Sequence, residues 1–280
     1  MSEPLTTTQQ QRLKGLSAPP AVLAATFEDA AGRDAYFREQ ERLYVNMNRE
    51  KLLKTMNDTH RPLLLEVQDT MCRWLMDGEG FTQVATPAFI TKEMLGGMTI
   101  TDEHPLTKQV FWLDEKRCLR PMLAPNLYIM MRDLHKITRQ PVYIFEVGSC
   151  FRKESQGAKH LNEFTMLNLV ELASVEEGQQ LERLKTLAKG AMAALEIEDY
   201  ELVVEKSEVY GETLDVVVDG EELASGAYGP HPLDANWGVF DTWVGIGFGL
   251  ERVAMVKGGY QNIKAVGRGL SYFDGAKLNI

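Results

Sequence analysis

The run WVGIGFGLER, residues 243–252, limits the fold more than any other stretch of this chain. Residues two apart on a strand share a face. Gly245, Gly247 and Gly249 therefore leave one face bare, with Trp243 on the same face just before them. Glycine inside a strand often marks a close approach by a ligand or another backbone. From Leu250 the run turns helical through Val256, which puts Arg252 at a helix N-terminus. A cation there opposes the helix dipole and is tolerated best beside a negative ligand. The run is not the dinucleotide fingerprint, because position 250 is leucine, and no GxxxxGK[ST] occurs. A nucleotide bound here has to lie on an open sheet face. A glycine-rich strand packed tightly against another element is the competing explanation.

A second stretch, FRKESQGAKHLNEFTMLNLVEL, residues 151–172, reads as a β-hairpin around a polar loop. Alternation puts Gly148, Cys150, Arg152 and Glu154 on one side of the first strand. On the return strand it aligns Phe164, Met166, Asn168 and Val170. Such a face is a poor core and a good binding surface. A guanidinium can hold phosphate oxygens bidentately, and a phenyl ring can stack on a base. An exposed Arg–Glu pair with Asn168 satisfied locally is the plain alternative. A third piece, EELASGA at 221–227, offers Glu222 and Ser225 as hard oxygen ligands. Magnesium takes one or two protein oxygens and fills its shell with water and phosphate. Glu–Ser pairs are also common in turns.

Around these pieces the chain predicts helices within residues 1–60, broken at Ala18-Pro19-Pro20. A helix starts near Pro62, carries Leu64, Val67, Met71, Trp74 and Leu75, and ends at Gly78 and Gly80. Residues 81–91 alternate like a strand that Pro87 demotes to an edge or bulge. Short strands are expected at 111–113 and 120–122, and helices at 126–137 and 180–195. Further strands are expected at 142–154, 162–172, 202–205, 214–218, 223–227 and 243–249. Strands follow one another through short turns, and helices fall mostly outside them. That order argues α+β with a mostly antiparallel β-sheet flanked by helices. The domains expected are an N-terminal helical segment, 1–60, and a larger one, 61–280.

The bulk numbers narrow the function. A net charge of −10 argues against wholesale coating of nucleic acid or anionic membrane. The basic run Arg33, Arg38, Arg42, Arg49, Lys51 and Lys54 is a solvated helix face or an RNA-contacting one. Cys72, Cys118 and Cys150 make no CxxC, so neither zinc nor a disulfide framework is supported. The sparse, odd count fits a reducing cytoplasm. No run suits a membrane span or a signal peptide.

Taken together, the pieces resemble the catalytic domain of class II aminoacyl-tRNA synthetases. TPAFIT with Pro87 resembles the dimer-interface motif 1, FRKE motif 2 and GIGFGLER motif 3. Residues 119–128, 149–169, 209–216 and 271–279 resemble the pyrrolysine-specific branch of that class, a likeness running from about Phe27 to the C-terminus. The resemblance implies a homodimeric ligase that activates pyrrolysine or another acyl-lysine with ATP and Mg²⁺. It then transfers the acyl group to a cognate, amber-suppressor tRNA. It also implies a catalytic part alone, the tRNA-binding N-terminal domain being a separate polypeptide in bacterial forms. On this resemblance the catalytic residues are Arg152, Glu154 and Arg252. Arg152 holds the α-phosphate, Glu154 the adenine amino group and His160 the outer phosphates. Phe164 and Arg252 sandwich the adenine, and Leu161 and Leu223 complete the nucleotide site. Glu222 and Ser225 hold Mg²⁺. Leu127, Tyr128, Met131, Val170 and Trp243 wall the substrate pocket, with Asn168, Ala227 and Gly245. Ala124 leaves room in it, and Tyr210 caps it. Tyr228 is expected to face away, because alternation sets it opposite Ser225 and Ala227. An adenylating enzyme that uses no tRNA, and a non-catalytic synthetase-like module, are the other classes weighed. The second of these should have lost Arg152, Glu154 or Arg252, and all three are present.

Overall fold

The computed structural model describes residues 2–154, 160–207 and 210–280. The chain forms two compact units, Met1–Pro62 with Lys264–Ile280, and Leu63–Ile263. The C-terminal tail thus clusters with the N-terminal segment.

In the first unit, helices α1 (Thr7–Gly15), α2 (Pro20–Leu23) and α3 (Ala30–Asn57) accompany a pair of two-residue strands, β1 (Glu3–Pro4) and β2 (Thr26–Phe27). The break at Ala18-Pro19-Pro20 appears as expected, with Pro20 opening α2. Each long helix starts on a side-chain cap. Thr6 accepts from the Gln9 N–H at 3.2 Å, and Asp29 accepts from the Gly32 N–H at 2.7 Å. Asn48 is the buried residue of α3 and acts as a clasp. Its amide donates to the Leu16 and Tyr44 carbonyls, and its oxygen accepts from the Lys277 N–H at 2.7 Å. Arg38, Arg42, Arg49, Lys51 and Lys54 are all exposed.

The second unit is built on a seven-stranded sheet. In chain order its elements are α4 (Leu63–Arg73), β3 (Thr82–Val84), β4 (Phe89–Thr91), α5 (Lys92–Gly97), β5 (Arg117–Leu119), α6 (Ala124–Thr138), β6 (Val142–Phe151), β7 (Glu163–Leu172), α7 (Gln180–Ala194), β8 (Glu201–Ser207), β9 (Gly211–Val218), β10 (Glu221–Gly229), β11 (Trp243–Gly249) and α8 (Leu250–Lys257). The sheet order is β3-β6-β7-β11-β10-β9-β8; β3 runs parallel to β6 and every other neighbour is antiparallel. The α+β reading with a mostly antiparallel sheet therefore holds. Helix α4 packs against α7 and α8, and both of these also pack on the sheet. On the α7 side a Cβ at Gly226 would come within 3.2 Å of Leu184. Helix α6 packs against β6 and β7 and carries the buried Leu127, Tyr128 and Met131.

Three local expectations are corrected. The run 81–91 is not one strand: β3 joins the large sheet, while β4 pairs with β5 in a separate two-stranded sheet. Pro87 lies in the gap, where no ladder bond is asked of it. The strand expected at 120–122 lies at 117–119, and only Trp112 of 111–113 makes a bridge, to Cys118. Just past the strand, Arg120 is buried in an ion pair, 2.8 Å from Glu146. Finally, β6 ends at Phe151, so Arg152 and Glu154 lie beyond it rather than inside a strand.

Candidate active site

The bare face expected from the glycine alternation is present and belongs to the centre of the sheet. Register pairs Gly245, Gly247 and Gly249 with Val170, Asn168 and Met166 of β7. On the other side Gly245 and Gly247 pair with Ala227 and Ser225 of β10. Directly paired residues share a face, so these side chains line one concave surface. A Cβ at Gly247 would come within 2.9 Å of the Asn168 amide, so glycine there is what lets Asn168 lie flat across the strand. The hairpin register sets Phe164 opposite Cys150 and Asn168 opposite Glu146.

Two adjoining cavities occupy this face. The inner pocket is lined by Leu127, Tyr128, Met131, Val170, Trp243 and Gly245. The outer cleft holds Arg152, Glu154, His160, Leu161, Phe164, Glu222, Leu223 and Arg252. Ala124, Asn168, Tyr210, Ser225, Ala227 and Gly247 line both. Every expected site residue thus reaches one of two connected spaces. Tyr228 lines neither; its exposed hydroxyl donates to Glu212 at 2.6 Å, so it faces away as expected.

Although Arg152 and Glu154 are outside the strand, backbone bonds continue the hairpin geometry. The Arg152 N–H donates to the Asn162 carbonyl at 3.0 Å, and the Glu154 N–H donates to the Asn162 side chain at 3.2 Å. The Arg152 Nε donates to the Pro121 carbonyl at 2.9 Å, and its guanidinium sits 5.4 Å from the Phe164 ring centre. That distance is within cation–π range. Burial lowers the Arg152 pKa from its ordinary value, yet guanidinium remains a cation. Arg252 donates to the Glu222 carbonyl at 2.9 Å and stands 3.6 Å from its carboxylate. The two arginines therefore flank the cleft from opposite ends of the hairpin and the glycine strand. The loop residues 155–159 of the motif 2 stretch lie outside the described residues.

Glu222 and Ser225 are three apart, and simple alternation would put them on opposite faces. A β-bulge between Glu222 and Ala224 adds a residue and turns Glu222 onto the ligand face: Glu222 pairs with Val217 and Ser225 with Asp215. Burial raises the Glu222 pKa above its ordinary range, with Arg252 opposing. The Ser225 hydroxyl donates to Asp215 at 2.6 Å, so its lone pairs are left for the cleft. The donors are all hard oxygens. Among the described residues no group of three or more His, Cys, Asp or Glu gathers into a metal cage. Two oxygens suit a cation that keeps water and phosphate ligands.

Sequence reasoning missed four carboxylates. Glu251 is buried in the first turn of α8, where a negative charge suits the dipole. Both its oxygens accept from the Thr165 N–H, at 2.9 and 2.8 Å, and one accepts from the Thr165 hydroxyl, tying the first turn of α8 to β7. Glu146 takes the Thr86 N–H and hydroxyl as well as Arg120. A Cβ at Gly148 would overlap Arg120, so that glycine serves the ion pair. Asp215 and Asp234 complete the four. Asp234 accepts from the Tyr128 hydroxyl at 2.8 Å and the Trp243 Nε1–H at 2.7 Å. Each partner is remote or on another strand, and a charge among apolar residues gives no periodic signal.

A sheet carrying an arginine-flanked cleft, a glycine strand that runs into a helix, and an adjoining apolar pocket defines a class of enzyme. The model of the "tRNA synthetases class II core domain (F)" matches residues 45–272, and the chain belongs to the class II aminoacyl-tRNA synthetases. Within that class it stands with the pyrrolysyl-tRNA synthetases. The crystal structure of pyrrolysyl-tRNA synthetase from Desulfitobacterium hafniense is 48% identical, with a TM-score of 0.93, covering 100% of both chains. A second structure from the same organism gives 48% identity and a TM-score of 0.91 over 100% of this chain and 96% of that one. More distantly, the O-phosphoserine–tRNA(Cys) ligase of Methanococcus maripaludis strain S2 is 22% identical over 217 residues, 73% of this chain and 40% of its own. The ligase of that name from Methanocaldococcus jannaschii is 24% identical over 226 residues, 75% of this chain and 41% of its own. The chain spans about two fifths of the length of these curated relatives. Among the described residues no helix is long and apolar enough to cross a membrane.

Proposed function

We propose that this protein is a pyrrolysine–tRNA ligase. The observation that carries the reading is the continuity of an apolar pocket holding one uncommitted amide, Asn168, with a cleft between Arg152 and Arg252. A long acyl-lysine side chain fills the pocket and its carboxylate emerges where the cleft begins. ATP lies in the cleft with its adenine on Phe164 near Arg252 and Glu154, and its phosphates toward Arg152 and His160. The carboxylate attacks the α-phosphorus in line, forming an aminoacyl-adenylate and releasing pyrophosphate. The terminal hydroxyl of tRNA then attacks the acyl carbon and releases AMP. Positioning and charge neutralisation carry the rate. Glu222 and Ser225 would hold Mg²⁺, which supplies further neutralisation of the phosphates when bound. The test is ATP–pyrophosphate exchange across a panel of lysine derivatives. Exchange should require an Nε-acyl group, and exchange with none of the panel refutes the reading.

The tRNA partner is proposed to meet the exposed cations of α3, with a separately encoded tRNA-binding domain assisting, as the resemblance implies. An acidic chain with exposed cations gathered along one helix suits contact with phosphates, and the enzyme is proposed to work in the cytoplasm. A homodimer is proposed through β4 and β5, where Phe89 is 55% exposed and Leu113 on the adjoining loop is equally so. Large exposed apolar side chains on an edge suit a two-fold interface. Sedimentation at micromolar concentration should give twice the 31.5 kDa chain mass, and Phe89→Asp should shift it toward monomer. A fully active wild-type monomer contradicts the proposal.

A further inference from the structure

We infer that Asp234 is a positioning residue that sets the shape of the amino-acid pocket by holding two of its walls at once; this rests on the substrate reading above. Asp234 is 2% exposed, among Leu233, Trp237 and Val239. Its Oδ1 accepts from the Tyr128 hydroxyl at 2.8 Å. Its Oδ2 accepts from the Trp243 Nε1–H at 2.7 Å and from the His231 backbone N–H at 2.6 Å. Helix α6 supplies one wall and strand β11 the other, so a single carboxylate ties elements that no local bond joins. The rings are fixed as well as the polar atoms. Tyr128 stacks on Trp237 at 5.2 Å and meets Trp243 edge-on at 5.6 Å. Tyr210 rests edge-on against both Trp243 and His231, so the cap leans on the same hub. Gly229 keeps the hub tight: a Cβ there would strike both Trp243 and Asp234.

Two consequences follow for specificity. The polar atoms of Tyr128 and Trp243 are turned away into Asp234, so these walls offer the substrate only hydrocarbon. Their separation is also fixed, so the pocket measures acyl size against rigid sides. An asparagine at 234 has one acceptor where the carboxylate uses two. If its oxygen keeps Trp243 and His231, its amide meets Tyr128, whose hydroxyl must then accept and whose proton turns elsewhere. The wall loosens without any change of side-chain size.

The experiment measures KM and kcat in ATP–pyrophosphate exchange with Nε-acetyl-lysine and Nε-butyryl-lysine, for wild type, Asp234→Asn, Tyr128→Phe and the double variant. The hydrogen bonds lost are to a charged group, so Asp234→Asn should raise amino-acid KM by about 10–100-fold. The KM for ATP should stay within about twofold, and the ratio of specificity constants for the two acyl-lysines should move toward one. Tyr128→Phe should move that ratio in the same direction. The double variant should add little to either single change, because both act through one contact. If Asp234→Asn does not fold, the Tyr128→Phe ratio decides. An unchanged ratio, or a rise in ATP KM parallel to amino-acid KM, overturns the inference. A wild type inactive with both acyl-lysines overturns the substrate reading itself, and the inference with it.

Discussion

Arg152→Ala is expected to cut adenylate formation by about 10²–10³-fold, the typical cost of one preorganised charge aimed at a transition state. The side chain is held rather than free. Its Nε is committed to the Pro121 carbonyl at 2.9 Å, which fixes the plane of the guanidinium. Among the described residues its terminal nitrogens make no hydrogen bond, so their N–H groups are left for a ligand in the cleft that Arg152 lines. Burial lowers its pKa, and the Arg252 cation adds to that, so an anion between them relieves a real cost. Lysine cannot replace it, because an ammonium is a point charge without the planar fork; Arg152→Lys should therefore recover little. Arg252→Ala should lose a similar factor by a different route, since its proposed part is to stack on adenine. The checks are exchange rate and ATP KM, with melting temperature as the control for folding. Near-normal exchange in either well-folded variant would sink the assignment of both.

The glycine strand was legible because its signal is local. Alternation alone places Gly245, Gly247 and Gly249 on one face, and strand β11 starts and stops where the pattern does. The hairpin was legible in its face but not in its end. Periodicity carries on to Glu154, whereas the ladder stops at Phe151, since Lys153 turns to bond the Gln109 carbonyl at 2.7 Å. Glu222 stands on the ligand face only through a bulge, which strict alternation cannot foresee. Arg120, Glu146, Asp215, Asp234 and Glu251 were illegible for a shared reason. A lone charge in a sequence looks solvated, and only tertiary pairing makes burial affordable. Arg120 and Glu146 are 26 residues apart, and Thr165 and Glu251 are 86 apart. These pairs place the ligand face; the residues on that face were the readable part.

Asn168→Ala is expected to lower the use of acyl-lysine substrates and to open the pocket to aromatic amino acids, with ATP affinity nearly unchanged. The amide makes no hydrogen bond among the described residues, and its Oδ1 is buried without a partner. An unsatisfied buried polar atom costs ~1–3 kcal/mol. Gly247 leaves the room that holds the amide at this place, since any Cβ there would strike it. The neighbouring walls cannot share the task, because Tyr128 and Trp243 spend their polar atoms on Asp234. Asn168 is therefore the proposed polar discriminator, since the Ser225 hydroxyl, which also lines the pocket, is given to Asp215. An acylated ε-nitrogen offers a carbonyl and an N–H, which match an amide donor and acceptor. Phenylalanine and leucine offer neither, and binding them leaves the amide desolvated and unpaired. A site built to hydrogen-bond its substrate rejects an analogue lacking that group by up to ~10⁴–10⁵. Removing the amide deletes this penalty and adds space beside Val170. The measurement is the ratio of specificity constants for an acyl-lysine and phenylalanine, in wild type and variant. The ratio should fall by orders of magnitude; an unchanged ratio would mean that the substrate side chain does not reach Asn168.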